Sequence, residues 1–338
     1  MPNASIHRKY NSIDLCKFIM AIGVVFGHTN PVPASAGNLA WAIYEHTVYL
    51  AAPIFFLSSG YFLAAKISPF SDTAHNIGST FNGLCKTAKM YFIWSLIYLP
   101  LAIFAYQRDG MSLFHGVQHY ITGLFLVGEH YNSWHLWYLL SSVYAYIFVI
   151  VLFRLRLNYK KWIIAACFVC LLSISITELA VYSEELPAVL QVVRSLLSST
   201  IATGRLLHGS FFIPAGILMA NRNLSKRTCL FLFTGCFLGN FLIEHSAIST
   251  MLIHVSAIAL FGFILHIDLK DHRIYIVLRK LSTNIYLIHM YIWTFYYSLV
   301  YKKVHYGWDS FIVTAIISII IGILHLNFSK KKKKTAAV

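Results

Sequence analysis

The chain has 338 residues, 58% of them hydrophobic and only 12% charged. Soluble domains carry about 25% charged residues, so this composition excludes an ordinary water-soluble domain and leaves a membrane protein. The net charge of +15 is no nucleic-acid footprint, because the cations are sorted by loop rather than gathered in one patch.

Residues 1–11 are polar and basic, and no small-residue cleavage pattern follows them; they are expected to form a cytoplasmic N-terminal segment. Ten apolar runs come next, at 12–29, 42–65, 87–106, 134–153, 162–182, 204–220, 228–244, 249–267, 281–300 and 309–328. Most approach the ~20 residues that a helix needs to cross a bilayer. They predict an all-α integral membrane protein, with about ten transmembrane helices in one bundle over residues 12–328 and a basic cytoplasmic tail at 329–338. The sixth helix has room to begin earlier, near Leu186. The stretch 113–128 is apolar but short, and reads as an interfacial or re-entrant segment or a plain outer loop.

The basic residues alternate from loop to loop. Of 27, 21 fall on the side of the N-terminus: Arg8 and Lys9, Lys66, Lys86 and Lys89, Arg154 to Lys161, Arg222 to Arg227, Lys270 to Lys280, and the run Lys330–Lys334. Arg108, Arg194, Arg205, Lys302 and Lys303 fall on the other side, and Lys17 lies inside the first run. This places both termini in the cytoplasm, with the lysine run facing anionic lipid. Acidic residues such as Glu129, Glu184, Glu185, Glu244 and Asp309 then face outward. All six cysteines lie in or beside apolar runs, so no disulfide framework is expected; Cys167-x-x-Cys170 reads as small buried residues on a helix.

Helix 1 carries Asp14, Lys17 and His28 on an otherwise apolar span. Such side chains cost about 2.5–3.5 kcal/mol each at the bilayer centre, which points them into the bundle. The 11 positions from Lys17 to His28 turn through about 1100°, three turns plus about 20°, so both share one face about 16 Å apart. Asp14, three residues before Lys17, is in reach to pair with it. A cation near the cytoplasm could hold an anionic donor, and an imidazole farther out could act as a general base near neutral pH. The plain alternative is an interfacial Asp14–Lys17 pair with Lys17 snorkelling to the headgroups.

Farther along, Ser58-Ser59-Gly60 in helix 2 permits close helix approach. Lys86 and Lys89 share a face at the start of helix 3, placed to receive phosphates or to serve as a topology signal. His135, Trp137 and Tyr138 open helix 4 as belt residues or as an aromatic platform for a sugar ring, with Glu129 and His130 close by. His208, His254 and His289 sit within later spans, each a satisfied interior histidine or a functional group. No compact metal-ligand spacing occurs among the 16 histidines, so no zinc site is expected.

Ile13-Asp14-Leu15-Cys16-Lys17, His28, Pro53-Ile-Phe-Phe, Ser59-Gly60-Tyr61-Phe62-Leu63, His135-Leu136-Trp137 and Ile285-Tyr286-Leu287-Ile288-His289, in this order, resemble the membrane acyltransferase 3 family. The resemblance runs nearly the whole chain. It implies a ten-helix O-acyltransferase of the bacterial inner (plasma) membrane that modifies surface polysaccharide, lipopolysaccharide or a lipid-linked precursor. A short acyl-CoA, first of all acetyl-CoA, would be the donor, with no tightly bound cofactor. The family's basic residue, ten intervening positions and histidine fall on Lys17 and His28, implying a donor path and a catalytic centre. Its R-x-x-R pair falls on Lys86 and Lys89. Lysine stands at all three basic positions where arginine is usual, and lysine neutralises phosphate without the planar fork, which bears on donor affinity and identity. Two other classes of function stand beside the enzyme. A carrier for a small polar substrate would also use intramembrane Asp14, Lys17, His28 and His289, but no inverted repeat accompanies them. A scaffold leaves the shared face of Lys17 and His28 without a purpose.

Overall fold

The structure is a computed structural model that describes residues 10–68, 73–181, 187–200, 204–221, 224–243 and 247–335. Arg8, Lys9, Glu184, Glu185, Arg222 and Glu244, which enter the topology reading, lie outside the described residues, as do most of the 1–11 segment and the side chains of Lys330–Lys334. All regular structure among the described residues is helical. The α-helices are α1 (Asn11–Thr29), α2 (Asn38–Ala64), α3 (Thr73–Arg108), α4 (Leu113–Thr122), α5 (Trp137–Arg154), α6 (Tyr159–Val181), α7 (Ala188–Thr200), α8 (Arg205–Asn221), α9 (Lys226–Asn240), α10 (Ala247–Leu265), α11 (Ile274–Val300) and α12 (Trp308–Thr335).

The ten apolar runs fall on α1, α2, α3, α5, α6 and α8 to α12. Seven helices among the described residues are long and apolar enough to cross a membrane: α1, α2, α3, α5 with its leading turn, α6, α10 and α12. Two of the rest, α8 and α9, have 17 and 15 residues. The third, α11, is 27 residues long, but Asn284, His289 and several tyrosines dilute its apolar character.

Four expectations need correction. Lys86 and Lys89 do not open a helix: α3 starts at Thr73, and its first three turns are too polar to register as part of an apolar run. The room before the sixth run is filled by a separate amphipathic helix, α7, rather than by an early start of α8. Residues 134–136 form a 3-10 turn, so α5 begins at Trp137. Cys167 is exposed and Cys170 half-buried, because they lie on the same outer side of α6 as the exposed Ile164, Phe168 and Leu171. The 113–128 stretch folds as α4 followed by a π-helical turn, Gly123–Val127. Tyr91, Tyr120 and Tyr144 seat it by donating to the carbonyls of Leu124, Ser95 and Phe125 at 2.7, 3.1 and 2.7 Å.

Two compact units are present: residues 1–51, 226–230 and 259–338 form the first, and residues 52–225 and 231–258 the second. In the first unit α1 packs along α11, with Ile13, Ala21, Val25, Ile285, Met290 and Trp293 fully buried. Asn30, left-handed and followed by Pro31, ends α1. The amide of Gly307 donates to the carbonyl of Thr29 at 3.1 Å, so the α11–α12 turn covers that end. At the opposite end Asn11 Nδ2 donates to Asp271 Oδ1 at 3.1 Å. These ties make α1 and α11 run parallel. Tyr296 donates to Asp309, and Gly322 lies against Leu281, so α12 runs back antiparallel to α11. The start of α1 and the end of α12 therefore share one end of this unit.

In the second unit α8 packs against α2, α5 and α6. A Cβ at Gly60 would overlap the Ile213 carbonyl oxygen, and a Cβ at Gly216 would overlap that of Leu57. The small residues of helix 2 thus serve close helix approach, as expected. Ser58 and Ser59 donate to the carbonyls four residues back, at 2.7 and 2.9 Å, which satisfies the donor of each hydroxyl within the helix.

Candidate active site

The polar stripe of α1 lies against α11. Asp14 is buried, and Arg279 Nη1 sits 3.8 Å from its Oδ2. Lys17, half-buried one turn on, also acts on the Asp14 charge. The expected Asp14–Lys17 pair is therefore a cluster of one carboxylate and two cations. Arg279 was missed because it precedes the apolar run at 281 and counts as a loop cation; α11 begins earlier, at Ile274. The signal for it was the charge balance, since an acid facing the bundle draws every cation within reach.

The two partners of this ion pair are unequal. Arg279 keeps about half of its side chain exposed, at 48%, against 7% for Asp14. Removing Asp14 leaves Arg279 as a cation that water can solvate, at a cost of about 1 kcal/mol for that pair. Removing Arg279 leaves a buried carboxylate with less compensation, at a cost nearer 2–3 kcal/mol. Arg279→Gln is therefore expected to lower the thermal midpoint more than Asp14→Asn, as measured by tryptophan fluorescence on heating.

At the far end of the stripe, the ring of His28 stacks on that of His289, with centroids 5.3 Å apart and planes at 28°. His28 is half-buried and His289 fully buried. The Nδ1–H of His289 donates to the Ile285 carbonyl at 3.0 Å. A carbonyl only accepts, so Nδ1 carries the proton and Nε2 of the neutral ring keeps its lone pair. His28 occupies the last turn of α1, where the helix dipole favours a cation. Two stacked imidazoles do not both become cations cheaply. The two rings form one aromatic pair at that end of the stripe.

The same end of the unit holds a group that the sequence reading did not single out. Asp309 accepts the hydroxyls of Tyr296 and Tyr301, at 3.0 and 2.9 Å, and pairs with His305 Nε2 at 3.1 Å. Phe26 contacts the rings of Trp308 and Phe311. These contacts fix the turn that covers α1 just beyond His28.

The remaining sequence candidates lie in the second unit. Lys86 and Lys89 are both exposed and three residues apart on α3. His135 is buried against Tyr98, with centroids 5.2 Å apart, so it is a core residue rather than part of an open platform. Trp137 is half-buried, with His208 at 6.1 Å and the Arg205 guanidinium 5.9 Å from its centroid. His208 in turn meets His254 at 5.2 Å. Arg205 is paired with Glu129 at 2.8 Å. Tyr138 packs against Phe56 at 4.5 Å with the ring planes tilted by 42°, and its hydroxyl lies 3.3 Å from Ser59 Oγ. Trp137, Tyr138 and His208 are thus brought into one cluster, and the Glu129–Arg205 pair and His254 are additions to it.

Beside this cluster His130 is 4% exposed and stacks on Tyr120 at 4.1 Å. Burial pushes its imidazole down to about 4, with a smaller contribution from His119. Burial also raises the Glu129 carboxyl, against the pull of Arg205. The folded state keeps His130 neutral while the unfolded chain binds a proton, so this residue subtracts stability as the pH falls from about 6.5 towards 4. The swing is on the order of 3 kcal/mol. Glu129 acts with the opposite sign, since its raised carboxyl binds a proton more readily in the folded state. His130→Phe, which keeps the stack, is expected to flatten the loss of thermal midpoint between pH 6.5 and 4 relative to wild type.

Comparison with known proteins bears on this arrangement. The profile of a family described as an acyltransferase domain, acyltransferase 3, matches residues 10–326. A serine/alanine racemase of Enterococcus gallinarum is 26% identical over 304 residues, which are 84% of this chain and 41% of that protein. Two amino-acid racemases of Enterococcus faecalis are 27% and 30% identical over 139 and 144 residues, covering 40% and 43% of this chain and 18% and 20% of theirs. The chain thus aligns with less than half the length of these curated relatives. No solved structure matches it.

Proposed function

The chain belongs to the acyltransferase 3 family, and from that premise we propose that it moves a short acyl group from cytoplasmic acyl-CoA to a hydroxyl of an envelope glycan or of its lipid-linked precursor. The observation that carries this reading is the His28–His289 stack, at one end of a helix stripe whose other end gathers Lys17 and Arg279 around Asp14. Cations suit the phosphates of a CoA donor. An imidazole suits the proton transfer that a hydroxyl nucleophile requires.

In the proposed step His28 accepts the proton of the acceptor hydroxyl as its oxygen attacks the thioester carbonyl. The carbon–sulfur bond breaks as the new ester forms. The leaving thiolate takes the proton from His28 and departs as CoA thiol. His289, its tautomer set by Ile285, orients and buffers that imidazole. Lys17 binds donor phosphate, and Asp14 and Arg279 tune its charge; in the second unit, Lys86 and Lys89 on α3 are a separate candidate for phosphate. Within the second unit, Trp137, Tyr138 and His208 are the candidates for a sugar, with His135 buried against Tyr98 close by in sequence.

The membrane arrangement supports this division. The sorting of 21 of 27 basic residues puts both termini in the cytoplasm, and ten spans over residues 12–328 accommodate it. The parallel course of α1 and α11 fits an odd number of crossings between them. The host membrane in this reading is a bacterial inner membrane.

A second reading, a carrier for a small polar substrate, draws on one observation: the curated relatives are named for amino-acid and serine/alanine racemases. Purified protein in nanodiscs separates the two. The enzyme reading expects CoA thiol release from acetyl-CoA that rises when envelope glycan is added. Uptake of labelled serine or alanine into proteoliposomes, with no thiol released, would favour the carrier.

A further inference from the structure

At the end of the first unit opposite His28, the first turns of α11 carry Arg273, Ile276, Val277 and Lys280 at helical spacing on one face. The last turns of α12 turn Ile323, Leu326 and Asn327 towards them. The two helices come together at Gly322, where a Cβ would lie 2.8 Å from Leu281 Cδ2. His325 Nδ1 and Asn284 Oδ1, 3.2 Å apart, hold the same level. Beyond that contact the larger side chains keep the helices open around a cleft of about 340 Å3. Its walls are aliphatic, it holds two cations and an amide, and no acidic residue lines it among the described residues. Ile276 and Ile323 are 44% and 43% exposed, so the cleft is open along its aliphatic side.

We propose that this cleft is a binding site for one anionic phospholipid. The lipid phosphate sits between Arg273 and Lys280, with the Asn327 amide donating to a headgroup oxygen. The acyl chains lie along Ile276 and Ile323. A basic pocket between transmembrane helices is a known form of headgroup site, and the aliphatic walls decide between the two sources of phosphate. A lipid covers them, whereas a soluble phosphate or nucleotide leaves them bare. The sequence beyond the cleft continues into Lys330–Lys334, which draws anionic lipid to the same surface. This inference does not depend on the acyltransferase reading.

The test measures lipid retained on the purified full chain by native mass spectrometry, with thermal midpoints in phosphatidylcholine nanodiscs with and without phosphatidylglycerol. Wild type is expected to keep one phosphatidylglycerol and to be stabilised by it. Arg273→Gln with Lys280→Gln should weaken retention by roughly 25-fold, from about fivefold per cation. Ile276→Trp, which keeps both charges and fills the cleft, should also lose the lipid. Lys160→Gln with Lys161→Gln, at an exposed basic pair on α6, should keep it. Equal retention of phosphatidylcholine and phosphatidylglycerol by wild type overturns the proposal, and that arm decides even if the double variant fails to fold. Displacement of the lipid by inorganic phosphate at millimolar concentration would assign the cleft to a soluble anion and equally overturn it. An equal loss in the Lys160/Lys161 variant would reduce the effect to general surface charge.

Discussion

Acyl transfer by His28→Ala falls by about 10²–10⁴-fold, while the protein still purifies as a folded species. The imidazole is half-buried on the last turn of α1, and its removal opens no cavity in a closed core. The loss is therefore chemical. His28→Gln, which fills the space and forms hydrogen bonds but takes no proton at neutral pH, should be as inactive as the alanine variant. His289→Gln should retain more activity, since in the proposed step it acts through His28. If His28 only binds substrate, the glutamine variant recovers most of the rate, with the defect confined to KM. Initial rates of label transfer from acetyl-CoA, at several acceptor concentrations, separate these outcomes.

Gly60→Val or Gly216→Val carries a large expected structural cost. At both positions a new side chain meets backbone carbonyl oxygen, of Ile213 and of Leu57 respectively. No rotamer relieves that overlap. Helices α2 and α8 must separate along the whole crossing, which takes Phe56 and Phe212 out of their parallel stack at 6.4 Å. Overpacking in a well-packed interior costs typically 1–3 kcal/mol, occasionally more, and contact with backbone belongs at the upper end. Gly23→Ala is the control, because its Cβ would meet nothing within 4 Å. Thermal aggregation and size-exclusion profiles in detergent should show Gly60→Val and Gly216→Val as poorly folded and Gly23→Ala as wild type.

What the sequence made legible follows from how each signal is encoded. Apolar runs report helix existence directly, and each of the ten predicted runs lies on a helix. They do not report where a helix starts once it leaves the apolar zone. Thr73 to Cys85 of α3 and Ile274 to Lys280 of α11 were therefore read as loop, which misplaced Lys86 and Lys89 and hid Arg279. Helical periodicity within α1 was enough to put Asp14, Lys17 and His28 on one stripe. It carried no information on which helix that stripe meets, so the stacking of His289 on His28 required the fold. The Glu129–Arg205 pair and the His208–His254 contact join residues 76 and 46 positions apart, and no local pattern encodes either. His135 lies between two aromatic residues in the sequence, but the 3-10 turn directs it into the core.

The most direct test of acyl transfer follows the acyl carbon itself. Protein in inside-out membrane vesicles is supplied with acetyl-CoA labelled in the acetyl group, and label is counted in the envelope glycan and its lipid-linked precursors. Acyl transfer predicts base-labile label in that fraction, made by wild type and absent with His28→Ala. Folded wild-type protein that leaves acetyl-CoA intact and the glycan unlabelled, across a panel of short acyl donors and glycan acceptors, would contradict it.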